Sequence, residues 1–314
     1  AVYACGWDQG RLSHHLFPDF VQMGRLDARD PKPPRYEPPA DSSVLVMGQH
    51  GPCLSRLKEF PFPGATLSIN GESQTMFSFK TSEGTSRSVA GYFGPATLIG
   101  QYSSSQWDGV MVHTRKARNT GERYLIYLAS RCFDHRENAF DRLSKAGRSP
   151  AYYGGGCGGK IASNVTAGGT ALRVPGGEVR PRDMTGQGAR RAGHPDVPPW
   201  RDNYLPFHRY RFCLVMENRK KGGYITEKII NAFLGGCVPI YYGIESIYEI
   251  FNRDSFVYYD PARPREALER VAYLENNRSA YEGVLREPIL AEGRKTIEEH
   301  FSYADEIGGG VQKG

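Results

Sequence analysis

Long apolar runs are missing from this chain. No window approaches the roughly 18 to 20 apolar residues that a membrane-spanning helix needs. The first ten residues, AVYACGWDQG, show neither the basic nor the apolar stretch of a secretory leader. A membrane link is therefore expected only through an anchor absent from this sequence. Cysteine is scarce, with six residues at 5, 53, 132, 157, 213 and 237. None stands in a C-x-x-C pair, which argues against a structural zinc site. The eight histidines show no ligand-like clustering, and His14-His15 reads as a surface pair. No internal repeat is visible.

Charge of one sign is also in short supply. Forty basic residues face 34 acidic ones, a net +6 spread over 314 residues. That is too diffuse for a nucleic-acid surface, and no nucleic-acid partner is expected. It suits a small anionic ligand such as a nucleotide diphosphate. Aromatics are plentiful, with 19 Tyr and 15 Phe, and 39% of residues are hydrophobic. A chain of this size and balance buries a substantial core and has room for two domains.

Local patterns divide the chain. From Ser43 the run SVLVMG reads as a short buried strand, and ATLSINGES as an alternating strand running into an Asn-Gly turn. Ala96 to Ile99 and Gly109 to His113 are further strand candidates. Arg123 to Ala129 (RYLIYLA) reads as a strand buried on both faces and opens a second unit. After it, Ala139, Phe140 and Leu143 give Arg136 to Lys145 an apolar helical stripe. The stretch 160–200 is rich in Gly, Arg and Pro and is expected to be a flexible insertion.

Order returns at Tyr210. RYRFCLVM is a strand, ENRKKGGY a loop, and a helix follows through ITEKIINAFLGG, stopped by Gly235-Gly236. Val238 to Tyr242 is the next strand, so the two strands should be parallel. Cys213 and Cys237 read here as small buried hydrophobes, while disulfides among the other cysteines stay open. A short strand over Ser255 to Tyr259 and helices over Arg265–Leu274 and Ala280–Leu290 complete the reading. Asn164-Val-Thr and Asn277-Arg-Ser are glycosylation triplets.

The loop after Met216 gathers polar residues where open α/β sheets bind ligands, at the carboxyl ends of strands. A lysine in the first helical turn, Lys228, opposes the helix dipole unless an anion sits beside it. The neighbouring Glu227 can accept both vicinal hydroxyls of a ribose. A surface loop with a capping Thr226 and solvated charges explains the same residues.

The run Phe212-Cys-Leu-Val-Met-Glu-Asn, then Tyr224-Ile-Thr-Glu-Lys, then Gly236-Cys-Val-Pro-Ile-Tyr-Tyr-Gly resembles the signature of the α1,3-fucosyltransferases, glycosyltransferase family 10. Asn70-Gly71-Glu72-Ser73 is similar to the family's acidic motif in the acceptor domain. Ser130-Arg131-Cys132 with Arg136 and Phe140 resembles the segment opening the donor domain. The resemblance implies a GT-B fold, α/β, with two Rossmann-like domains facing across a cleft: residues 1–122 on the acceptor side and 123–314 binding the GDP-sugar. It implies an inverting transferase that moves fucose from GDP-fucose to a hydroxyl of a glycan or glycoprotein acceptor, in an α1,3-type linkage. Glu72 would be the general base, and Lys160, Asn218, Tyr224, Glu227 and Lys228 would bind GDP-fucose.

No D-x-D triplet occurs, the carboxylate pair expected where Mn²⁺ holds a diphosphate. No metal site and no required cofactor are therefore expected, with stimulation by Mn²⁺ or Mg²⁺ left open. The setting would be the Golgi lumen in a eukaryote and the cytoplasm otherwise. Three other readings compete. One is an exostosin-type GT-B enzyme, against which Tyr224-Ile-Thr-Glu-Lys argues. The others are a transferase using another nucleotide sugar, and a non-catalytic nucleotide-sugar or glycan-binding protein.

Overall fold

The computed structural model describes residues 2–5, 22–25, 44–48, 52–59, 62, 64–69, 76–80, 86–92, 120–129, 133–147, 151–155, 204–221 and 224–300. Two compact units emerge: residues 1–100 with 221–224 and 297–314, and residues 101–220 with 225–296.

The first unit is built on a six-stranded sheet. Its strands are β1 (Val2–Cys5), β2 (Gln22–Arg25), β3 (Val44–Gly48), β4 (Ala65–Ile69), β5 (Met76–Lys80) and β6 (Ser86–Tyr92), in the order β2-β1-β3-β4-β6-β5. All neighbours are parallel except β5 and β6, which pair antiparallel at one edge. Helix α1 (Pro52–Glu59) follows β3. The candidates over 96–99 and 109–113, and the stretch 160–200, lie outside the described residues.

The second unit carries a five-stranded, fully parallel sheet. β7 (Arg123–Ala129), β8 (Ala151–Gly155), β9 (Tyr210–Met216), β10 (Val238–Tyr242) and β11 (Val257–Tyr258) run in the order β11-β10-β9-β7-β8. Covered on both faces, β7, β9 and β10 are almost continuously buried, which is why they read as apolar runs rather than alternating ones. Phe212, Leu214 and Met216 point to one face, toward a core that includes Phe140 and Leu143 of α2 (Asp134–Ser144). Val271 and Leu274 of α3 (Pro264–Asn276) and Tyr281 of α4 (Arg278–Arg286) join the same core. Each large side chain buried there contributes roughly 1.5–3 kcal/mol.

Helix α5 (Glu227–Leu234), which connects β9 to β10 and precedes α3 in the chain, packs on both strands. It ends as its glycines dictate: Gly236 takes φ +75°, and its N–H donates to the Phe233 carbonyl at 3.0 Å. At Gly235 a Cβ would stand 2.4 Å from Cβ of Phe207, so no side chain fits there.

Three expectations need correction. Cys213 and Cys237 are not merely small hydrophobes: they form a disulfide that ties the middle of β9 to the turn before β10. Their Cα atoms, 24 residues apart in sequence, come within 6.0 Å because the parallel pairing sets Cys213 beside Pro239. The helix expected through Leu290 ends at Arg286. Pro288 forces the preceding Glu287 into extended backbone (ψ 140°), and Leu290 instead bridges to Phe251. The strand expected over 255–259 is shorter, because Arg253–Ser255 forms a 3₁₀ turn closed by the Asn252 side chain.

Asn277 of the second glycosylation triplet caps α4, accepting from the Ala280 N–H at 3.0 Å.

Candidate functional site

Within the second sheet the strand order reverses between β7 and β9. Chain segments leaving the carboxyl ends of these two strands diverge, and such a switch point is where open α/β sheets form a ligand crevice. Two segments meet there: the start of α2, which follows β7, and the loop from Glu217 to the start of α5, which follows β9.

Glu217 is the first residue beyond β9. Its backbone N–H donates to the Tyr242 carbonyl at 2.8 Å, and its side chain is completely buried. The carboxylate accepts from the Thr226 N–H at 2.7 Å, and the Thr226 hydroxyl lies 2.9 Å from both of its oxygens. Thr226 therefore precedes α5 without capping it through its own side chain; the hydroxyl turns to Glu217 instead. The Lys228 ammonium completes the cluster. It donates to Thr226 Oγ1 at 2.8 Å and lies 3.3 Å from Glu217 and 3.7 Å from Glu227. Burial pushes the Glu217 carboxyl above the usual carboxylate range, while the neighbouring Lys228 charge pulls it back.

From the other side, Arg136 in the first turn of α2 donates through Nη2 to Asn218 Oδ1 and lies over the Phe133 ring at 5.1 Å. It is 4% exposed, and its buried Nε has no hydrogen-bond partner among the described residues. Beside it, Nε2–H of His135 donates to the Glu217 carbonyl at 3.1 Å, since a carbonyl can only accept. Burial holds the His135 ring below its ordinary value of 6.5. Tyr127, near the end of β7, donates to Glu137 Oε1 at 2.9 Å, and burial raises the Glu137 carboxyl.

Some of these residues line a pocket. Tyr127 and Leu128 line it from β7, Arg136 from α2, Met216 from β9, and Glu227, Lys228 and Asn231 from α5. Of the residues singled out in the sequence, Glu227 and Lys228 thus stand in the pocket wall, and Asn218, outside that wall, is bonded to Arg136, which lines it. Tyr224 is buried, with its N–H on the Lys221 carbonyl at 3.0 Å. Glu72 and Lys160 lie outside the described residues. In the same loop Arg219 and Lys220 are exposed, and Lys220 pairs with exposed Glu245 at 3.0 Å.

Two members escaped the sequence reading as site residues. Glu217 was one charge in a polar cluster, and Arg136 belonged only to a resembling segment. Each is a charged residue beside an apolar run, and that was the available signal; their burial comes from partners far along the chain.

Two α/β units on largely parallel sheets, with a site at a switch point of the second, are the elements of a GT-B fold. Solved α1,3-fucosyltransferase structures share it. One, with GDP-fucose, superimposes with a TM-score of 0.50 at 16% identity, covering 92% of this chain and 81% of that one. Another gives 0.52 at 15% identity, covering 94% and 87%. Residues 191–286 match the model for glycosyltransferase family 10 (fucosyltransferase), C-terminal part. The resemblance to that family is thus present in sequence across the switch-point loop and α5. An α-(1,3)-fucosyltransferase of Helicobacter pylori is 40% identical over 98 residues, 30% of this chain and 20% of that protein. GDP-fucose protein O-fucosyltransferase 3 of Canis lupus familiaris is 33% identical over 91 residues, 28% and 19% of the two chains. The chain spans about a fifth of the length of these curated relatives.

Proposed function

We propose that the pocket binds the diphosphate and ribose of GDP-fucose, and that the protein transfers fucose with inversion to a hydroxyl of a glycan acceptor, in an α1,3-type linkage. One observation carries this reading: Arg136 and Lys228, two cations from separate elements, converge on one pocket at the switch point beside Glu227. The buried Nε of Arg136 is a donor still lacking an acceptor, which an anionic oxygen would supply.

In such a reaction the acceptor oxygen bonds to the anomeric carbon as the bond from that carbon to the diphosphate breaks. Negative charge grows on the departing GDP. Fixed cations in a partly dry pocket stabilise it without reorganising, a role for Arg136, Lys228 and, by resemblance, Lys160. Glu227 takes the ribose hydroxyls; Asn218 and Tyr224 complete the donor contacts. The acceptor's proton needs a base, which the resemblance assigns to Glu72. In this reading the leaving group is met by side chains, so no cofactor is required. The Cys213–Cys237 disulfide suits an oxidising compartment, and with it a Golgi-lumenal setting if the protein is eukaryotic.

Calorimetric titration with GDP, GDP-mannose and UDP tests the site. GDP is expected to bind and UDP to give no heat; the reverse result rejects the donor assignment. Glu72→Gln should keep GDP affinity and lose transfer from GDP-fucose, and full transfer in that variant removes Glu72 from the mechanism.

A further inference from the structure

Glu217 is the least expected charge in the second unit. Its carboxylate is fully buried, yet no ligand-binding role follows from the pocket, whose wall includes Glu227 and Lys228 but not Glu217. What it touches is specific. One oxygen takes the Thr226 N–H, both lie within 2.9 Å of the Thr226 hydroxyl, and the Lys228 ammonium is at 3.3 Å.

The hydroxyl of Thr226 has one hydrogen, which goes to Glu217, and lone pairs, one of which accepts from Lys228 Nζ at 2.8 Å. Ammonium, hydroxyl and carboxylate therefore form a closed triangle. A flexible lysine that must grip an anion loses rotamer freedom on binding unless something already holds it. The geometry points to Glu217 as the positioning residue of Lys228, acting through the hydroxyl of Thr226 to hold the ammonium at the pocket wall. The consequence for nucleotide binding rests on the donor reading above; the positioning itself does not.

A plain helix cap makes a different forecast. The Thr226 N–H needs only an acceptor, which a glutamine supplies equally well, so Glu217→Gln separates capping from the ion pair. Two readouts are paired. The first is the rate of Lys228 acetylation by an N-hydroxysuccinimide ester, followed by peptide mass spectrometry, with exposed Lys145 as the reference. The rate should rise several-fold relative to Lys145 in Glu217→Gln and in Thr226→Val, and stay at the wild-type level in Thr226→Ser, which restores the hydroxyl. The second is GDP affinity. It should fall about tenfold in Glu217→Gln, the usual scale of a lost charge-assisted contact, with no further fall when Glu217→Gln is added to Lys228→Met.

Unchanged Lys228 reactivity in both Glu217→Gln and Thr226→Val overturns the inference, as do losses that multiply in the double variant. Should Glu217→Gln not fold, Thr226→Val and Thr226→Ser carry the same comparison. If Lys228 becomes more reactive as expected while the wild-type protein binds no GDP, the positioning role stands and the donor reading falls.

Discussion

Arg136 and Asn218, 82 residues apart in the chain, are joined by a hydrogen bond from the guanidinium to the amide oxygen. That bond spans the switch point: one partner follows β7 and the other follows β9. It leaves the Nε of Arg136 buried and unsatisfied, so Arg136→Lys should be far from conservative, because an ammonium cannot serve Asn218 and a second acceptor in the same plane. We expect GDP affinity to drop tenfold or more in Arg136→Lys and Asn218→Ala to lose less. Calorimetry on both variants checks this, and wild-type affinity in Arg136→Lys would remove the guanidinium from the site.

The disulfide between Cys213 and Cys237 closes a loop with a sequence separation of 24, and that loop contains the whole site segment from Glu217 to Lys228. Chain-entropy reasoning gives such a cross-link about 3.5 kcal/mol. Replacing both cysteines by alanine should lower the unfolding free energy by about that amount in denaturant melts. Reductant should shift the midpoint of the wild type by more than it shifts that of the double variant.

Arg211 and Glu275 supply a contrast between ion pairs. Arg211 reaches Glu275 with Nε at 2.7 Å and Nη2 at 2.5 Å, and the glutamate side chain is only 2% exposed. Glu275→Ala removes a charge-assisted, two-pronged contact but leaves Arg211 partly exposed and still donating to the Gly121 carbonyl at 2.7 Å, so it should cost about 2 kcal/mol. The exposed Lys145–Asp141 pair at 2.9 Å should matter little, with Lys145→Ala within about 0.5 kcal/mol of wild type. Equal losses in the two variants would contradict the difference in burial.

His135 and Glu137 set opposite pH trends. His135 titrates lower folded than unfolded, chiefly through burial, so the unfolded chain binds the extra proton first. Its contribution to stability is present above the ordinary value of 6.5 and is lost as the pH falls toward the folded value. Glu137 titrates higher when folded, again chiefly through burial, so the folded chain holds the extra proton. Its contribution is present at acid pH and is lost as the pH rises from 4.5 through the folded value. Urea melts at pH 5 and pH 8 should show His135→Gln losing the first trend and Glu137→Gln losing the second. A wild-type pH profile in either variant would dismiss that residue as a source.

The unit from Tyr210 to Tyr242 was legible in the amino-acid sequence, because each of its signals is local. Apolar runs marked β9 to within one residue and β10 to the residue. The segment ITEKIINAFLGG with its Gly235-Gly236 stop marked α5. Glu227 and Lys228 were recognisable because helix polarity makes a lysine in the first turn conspicuous wherever it occurs. The ends of α4 and β11 were misjudged through Pro288 and the Asn252 turn, short-range signals outweighed in the reading by apolar periodicity.

Tertiary structure alone decided the rest. Whether Glu217 is a solvated loop charge or a sealed carboxylate depends on Thr226 and Lys228 folding over it. Whether Cys213 is a buried hydrophobe or half of a disulfide depends on the register of β9 against β10. Whether Arg136 is a surface cation or the far wall of a pocket depends on β7 and β9 lying side by side. Local sequence carries propensity and periodicity; burial and charge pairing belong to neighbours that only the packed sheet brings together.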